Sequence, residues 1–308
     1  MFVVCGEALM DVFAVDETPT GMALDARIGG SPFNVALGLA RLAQPVSFFG
    51  ALSSGFLGQR LLKALRAEDI GTGCTAVIDA PTTLSLVGLD ARGVPSYSFY
   101  GEGCADRLLP LSALAQVPAG VRALQVGSYA MVVEPVAATQ RALIEREQGR
   151  SLIAYDPNIR LNVEPDLARW RAALEWMLPR TQLLKVSDED LGLLFPGADL
   201  ATLAQDWLAA GVPLVVVTQG GAGAQAWARG VHVRSAPQPV TVVDTVGAGD
   251  TFQAALLTWL AEHGRLAPQA LAEWTEAELA ALLDFAGRAA AITCSRRGAD
   301  LPRRSELP

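Results

Sequence analysis

The chain has 308 residues, of which 51% are apolar, with a net charge of −8 and a pI near 4.9. That length suits one large domain with a smaller attached element better than two full domains. The acidic balance argues against a nucleic-acid or anionic-membrane partner, so a nucleotide ligand would need positive potential from helix N-termini and a few arginines.

Four cysteines, Cys5, Cys74, Cys104 and Cys294, lie far apart without a C-x-x-C pair, which points away from zinc and redox motifs. Cys5 and Cys294 sit in apolar runs and are expected to be buried thiols. The N-terminus has no charged segment leading into an apolar one, and no apolar run reaches membrane-spanning length, so the expectation is a soluble, cytoplasmic protein. His232 and His263, in a strand-like segment and at a helix end, are not expected to be catalytic.

Taken in chain order, Phe2–Cys5 predicts the first strand, with Glu7 and Asp11 just beyond it. Residues 8–28 alternate apolar and polar without a helix. Gly29-Gly30-Ser31-Pro32 then opens a helix over Phe33–Leu42, with Ser31 as the expected N-cap and Pro32 as its first residue. The glycines let a ligand approach the backbone, and Asn34, one turn in, either bonds sugar hydroxyls or supports the cap. A strand at Val46–Gly50 and a helix at Gly58–Glu68 follow. Residues 82–100 read as a hairpin, Leu84–Asp90 and Ser96–Tyr100 around a turn at Ala91–Pro95. These antiparallel segments suggest a small lid or, alternatively, an edge extension of the main sheet.

Strands are next expected at Ala123–Val126, Leu152–Tyr155, Leu183–Val186 and Leu214–Thr218, and helices at Pro135–Gln148, Asp166–Met177, Leu200–Ala209, Thr251–His263 and Glu276–Thr293. Continuous apolar strands separated by helices predict a parallel sheet covered on both faces. Polar residues follow several strands: Gly127 and Ser128, Asp156 and Asn158, Ser187, Thr218 and Gln219. Ligands of open α/β sheets collect at these carboxyl ends.

The most informative stretch is Asp244-Thr-Val-Gly-Ala-Gly-Asp250, which runs straight into an apolar helix. The first amides of a helix lack intrahelical partners, and the dipole adds partial positive charge, so the turn can hold a phosphate. Asp250 beside it can take a proton from an attacking hydroxyl, which points to phosphoryl transfer to an alcohol. The plainer alternative is a tight turn with Asp as a cap. A P-loop is disfavoured because the only lysines, Lys63 and Lys185, follow no Gly-x-x-x-x-Gly run. A Rossmann dehydrogenase is disfavoured because G-x-G-x-x-G does not follow the first strand.

Gly29-Gly30 with Asn34, then Gly58 after Phe49-Gly50, resembles the first signature of the PfkB (ribokinase-like) family of carbohydrate kinases, and Asp244–Asp250 with Ala254-Ala255 resembles the second. Tyr155-Asp-Pro-Asn-Ile-Arg160, Lys185-Val-Ser-Asp-Glu-Asp190, Phe99-Tyr100 through Ala105-Asp106, and Thr293–Ala299 resemble segments of the family's bacterial fructokinase branch. The resemblance covers essentially the whole chain. It implies a ribokinase-like three-layer α/β/α sandwich with a mostly parallel central sheet: one kinase domain over 1–308, with a discontinuous β lid from about 8–28 and 82–103. It implies an ATP- and Mg²⁺-dependent sugar kinase, with fructose as the expected substrate and 2-keto-3-deoxygluconate or another sugar or nucleoside as alternatives. A catalytically inactive sugar-binding regulator is the reading from a different class.

By the same resemblance, Asp250 is the general base, and the amides of Gly247, Ala248 and Gly249 form the anion hole. Asp11, Gly29, Gly30, Asn34 and Arg160 contact the sugar, and Tyr100 closes over it. Arg160 reaches either the sugar or the transferring phosphate, or else forms a structural ion pair. Lys185, Ser187, Asp190, Thr218, Gly220, Gly223 and Gly249 line the nucleotide side. Asp190 is linked to Mg²⁺ through water, and Asp244, Val246 and Gly298 form a K⁺ site. Two departures stand out. Position 190 is Asp where the family has Glu, and Gly101-Glu102-Gly103 stands where the branch has an Arg after the lid's Phe-Tyr. Apolar lid strands suggest a homodimer through the lid.

Overall fold

A computed structural model describes residues 1–89 and 95–307. The turn expected at Ala91–Pro95 thus lies almost wholly outside the described residues, as does Arg92. The elements run β1 (Phe2–Cys5), β2 (Leu9–Thr18), β3 (Gly21–Gly29), α1 (Ser31–Arg41), β4 (Val46–Phe49), β5 (Ala51–Ser53), α2 (Phe56–Ala67), β6 (Ala76–Ile78), β7 (Leu84–Leu89) and β8 (Pro95–Tyr100). There follow β9 (Ala123–Gly127), α3 (Val136–Glu147), β10 (Leu152–Asp156), α4 (Leu167–Met177), β11 (Leu183–Ser187), α5 (Asp188–Leu194), α6 (Leu200–Ala209), β12 (Leu214–Thr218), β13 (Ala224–Ala228), β14 (Val231–Ser235), α7 (Ala248–Glu262) and α8 (Glu276–Cys294).

The large sheet has the order β14-β13-β12-β11-β10-β9-β1-β4. It is parallel from β4 to β12 and antiparallel only through β13 and β14. Its strands bury both faces, and the alternation of side chains sorts them into two cores. Phe2 and Val4 join Leu256, Leu260 and Leu283 of α7 and α8, whereas Val3 and Cys5 join Leu143, Trp170 and Trp207 of α3, α4 and α6. This is the expected α/β/α sandwich. No helix among the described residues is long and apolar enough to cross a membrane.

The segments that alternate without helices form a separate sheet in the order β3-β2-β7-β8. Its two hairpins meet through a parallel β2–β7 pairing, so it is mixed rather than purely antiparallel. The β13–β14 hairpin and α5 escape the sequence pattern. Ala224–Ala228 is rich in Ala, a weak strand former, and α5 is a single seven-residue stretch. Cys294 proves only half-buried, while Cys5, Cys74 and Cys104 are the buried thiols.

The start of α1 departs from expectation. Gly30, at φ 105°, is the N-cap, and Ser31 is already helical, one residue ahead of Pro32. The Ser31 hydroxyl does not cap its own helix and is spent elsewhere.

Candidate active site

Ser31 Oγ donates to Asp250 Oδ1 at 2.6 Å, and Asn34 Nδ2 donates to Asp250 Oδ2 at 2.8 Å. The first turn of α1 therefore grips the carboxylate that opens α7. Two donors on two oxygens suit an ionised carboxylate. Asp250 is half-buried in the first turn of α7. The helix dipole alone would lower its pKa, but the balance runs the other way. Burial raises it, outweighing the Ser31 and Asn34 hydrogen bonds and the Lys185 charge, and Asp156 adds repulsion.

Gly247 caps α7 in the left-handed region at φ 79°. The expected anion hole is narrower than three amides, because the Ala248 N–H donates to the Thr245 carbonyl at 3.2 Å. Among the described residues the Gly247 and Gly249 amides make no such bond. Gly249 leaves a bare surface beside the lysine: a Cβ there would sit 3.3 Å from Lys185 Nζ, a tight contact.

That lysine is the centre of the crevice floor. Lys185 Nζ pairs with Asp156 Oδ2 at 2.7 Å, and both side chains are about 95% buried (5% and 4% exposed). Burial works to lower the lysine pKa, but Asp156, helped by Asp250 and Asp190, raises it. Asp156 Oδ1 is buried without a hydrogen-bond partner. The sequence marked Asp156 only as a polar residue after a strand, yet it anchors the lysine between the two halves of the crevice.

Ser187 caps α5 by accepting the Asp190 amide at 3.0 Å. Asp190 Oδ1 accepts the Ile159 amide at 3.0 Å, which ties α5 to the segment carrying Arg160. Burial, then repulsion by Asp156, raises the Asp190 pKa. Arg160 is exposed; its Nη1 donates to the Ile159 carbonyl at 2.8 Å, and among the described residues no ion pair engages it. The structural ion pair considered for Arg160 is not found among the described residues. Thr218 ends β12, and Gly220 (φ 49°) and Gly223 (φ 92°) shape the tight turn into β13.

On the small sheet, Asp11 lies alongside Ser85 and opposite Arg27. Gly29 exists to make room for it: a Cβ there would fall 2.1 Å from Asp11 Oδ2. Burial raises the Asp11 pKa against a Ser85 hydrogen bond and the Arg160 charge. Tyr100 is not brought to this face. It pairs with Leu84 while Phe99 pairs with Ser85, and successive residues of a strand point to opposite sides. Tyr100 is 60% exposed, and the aromatic sharing the Asp11 face is Phe99, packed edge-on against Tyr129 at 5.6 Å.

Asp244 accepts the Val246 amide at 3.1 Å and the Gly298 amide at 2.8 Å. The three residues assigned to a monovalent cation are therefore together, but what joins them is a carboxylate–amide clasp. Glu7 was only a polar residue near a strand end in the sequence. It is buried, with Oε2 unpartnered, and burial lifts its pKa from 4.5 to about 8 against a Ser128 hydrogen bond. His232 and His263 stack on Trp227 and Trp259.

A Rhizobium leguminosarum bv. trifolii fructokinase is 35% identical over 91% of this chain and 85% of its own length. A Klebsiella pneumoniae fructokinase is 33% identical over 85% and 84%. The structure of Xylella fastidiosa fructokinase with bound ATP superimposes with a TM-score of 0.86, at 25% identity, covering 100% of this chain and 94% of that one. The pfkB family carbohydrate kinase profile matches residues 1–306. The chain belongs to the pfkB family of carbohydrate kinases.

Proposed function

We propose that the enzyme transfers the γ-phosphate of ATP to a hydroxyl of D-fructose. The observation that carries the reaction is the Ser31–Asp250–Asn34 arrangement, a fixed carboxylate beside the free amides of a glycine turn at a helix N-terminus. The sugar choice is supported by the fructokinase relatives.

In this reading the sugar lies between Asp11, Gly29, Gly30 and Asn34, and ATP lies along Ser187, Thr218, Gly220 and Gly223. Asp250 takes the hydroxyl proton as the oxygen attacks. A carboxylate whose pKa is raised by burial is a stronger base, provided it stays ionised. The amides of Gly247 and Gly249, with Lys185 behind them, stabilise the charge that develops on the phosphoryl oxygens. Arg160, free of ion pairs among the described residues, is available to the sugar or the phosphate. The four-stranded sheet would act as the lid, with Phe99 rather than Tyr100 on its crevice side.

Asp190 and the unpartnered Asp156 Oδ1 fit a hydrated divalent cation and would hold Mg²⁺ through water; bound there, it neutralises phosphate charge. Among the described residues no three His, Cys, Asp or Glu side chains form a direct metal cluster, consistent with water and phosphate supplying the other ligands. A K⁺ ion near Asp244, Val246 and Gly298 would rely on loop carbonyls, because both Asp244 oxygens already accept amides. We place the enzyme in the cytoplasm, where ATP is available and free thiols persist.

The test is ADP release with MgATP across fructose, 2-keto-3-deoxygluconate, ribose, tagatose, glucose and adenosine. Turnover dominated by fructose is expected. Turnover on the keto-acid instead would overturn the sugar and keep the chemistry, while silence across the panel would favour a sugar-binding regulator.

A further inference from the structure

Apart from Arg160, which is available to either the sugar or the phosphate, the crevice is short of uncommitted positive charge. Of the two lysines, Lys185 is paired to Asp156 and also faces Asp250 and Asp190. Arg296, on the C-terminal loop, is paired with Asp300 and Glu306. The N-terminus of α7 supplies about half a unit charge. Moving a γ-phosphoryl group needs more than this around its oxygens.

Arg27 stands out against that shortage. It sits on β3 opposite Asp11, so the two share the crevice face of the small sheet. Nε and Nη2 donate to Asp25 Oδ2 at 2.8 and 2.6 Å, and the guanidinium lies over the Phe13 ring at 5.3 Å. Those contacts fix its plane while leaving Nη1 without a hydrogen bond among the described residues. Nη1 lies 3.4 Å from where a Gly298 Cβ would be. Gly298 is clasped to Asp244, and Ala299 packs on Gly247, the cap of α7, where an added Cβ would sit 2.7 Å from that of Ala299. A strand of the small sheet thus delivers a free guanidinium edge to the loop that packs on the anion turn.

We propose that Arg27 is a phosphate-contacting residue: Nη1 donates to the γ-phosphoryl group of the nucleotide, completing from the small sheet the anion site that Gly247 and Gly249 open from the helix. The assignment rests on the kinase reading of the crevice and adds a residue to it. It compensates in part for the Arg that the sequence lacks after Phe99-Tyr100, although it serves the nucleotide's phosphate rather than the sugar. The half-exposed Asp25 pair contributes little by itself to stability and serves to aim the guanidinium.

The test is calorimetric binding of MgADP and of Mg-β,γ-imido-ATP to wild type, Arg27→Gln, Arg27→Lys and, as a control on the neighbouring loop, Arg297→Gln. Losing one charge-assisted hydrogen bond to the γ-phosphate predicts that Arg27→Gln weakens the imido analogue by about tenfold and ADP by less than about threefold. Arg27→Lys should fall between, and kcat should drop in Arg27→Gln with the sugar KM nearly unchanged. Equal losses for both nucleotides with a raised sugar KM would make Arg27 a latch between sheet and loop and overturn the proposal. A selective loss in Arg297→Gln but not Arg27→Gln would also overturn it. Failure of the wild type to bind either nucleotide would sink the kinase reading itself, and Arg27 with it.

Discussion

Asp250 is fitted to its role by neighbours that are distant in sequence. The Ser31 hydroxyl, 219 residues away, was expected to cap α1 and instead holds one carboxylate oxygen. The base was legible in the sequence because Gly-Ala-Gly-Asp before an apolar helix is a local pattern. Its partner was not, since nothing local distinguishes a capping serine from one diverted across the crevice. Tyr100 and Phe99 show the same limit: strand alternation says they differ in face, and only the pairing register says which one faces Asp11. In the folded protein the Glu7 carboxyl holds a proton up to about pH 8, whereas unfolding lets it go near 4.5. Between those values the folded state binds the extra proton, so the Glu7 contribution to stability declines as pH rises and levels off above about 8. The whole drift is on the order of 5 kcal/mol. Glu7→Gln should remove it, so urea midpoints of variant and wild type should diverge steadily from pH 5 to 8. Parallel curves would mean that Glu7 does not hold the proton.

The working element is the N-terminus of α7. Its glycines serve two needs, a left-handed cap at Gly247 and a bare surface at Gly249 beside the Lys185 ammonium. Gly249→Ala should place a methyl group between the cation and the free amides. We expect kcat to fall at least about tenfold with the melting temperature little changed, because loss of a phosphate contact costs roughly 1.4 kcal/mol or more in the barrier. Unchanged kcat would remove Gly249 from the anion site. This element was readable from its local glycine motif and the apolar run behind it. The hairpin β13–β14 and the short α5 were not, because an alanine-rich strand and a two-turn helix carry too weak a periodicity.

The molecule as a whole is a covered parallel sheet with a small second sheet at the carboxyl ends of its strands. Alternating elements announced the layers, but not the strand order, in which β1 lies between β9 and β4. The far end of the small sheet exposes Val15, Met22 and Leu24 at 62%, 58% and 50%. Adjacent exposed apolar side chains favour a partner surface, and we propose a homodimer through this sheet. Leu24→Asp should then shift the mass measured by light scattering from dimer to monomer without unfolding the protein. A wild type that is monomeric at micromolar concentration would contradict the proposal. The proposed reaction requires that Asp250 act on the proton and do little to bind the sugar. The most direct test compares Asp250→Asn with wild type in turnover and in sugar affinity. The expected result is a fall in kcat of about a thousandfold, within the usual span for a general base, with the sugar Kd changed less than about threefold. Near-normal turnover in Asp250→Asn would contradict it.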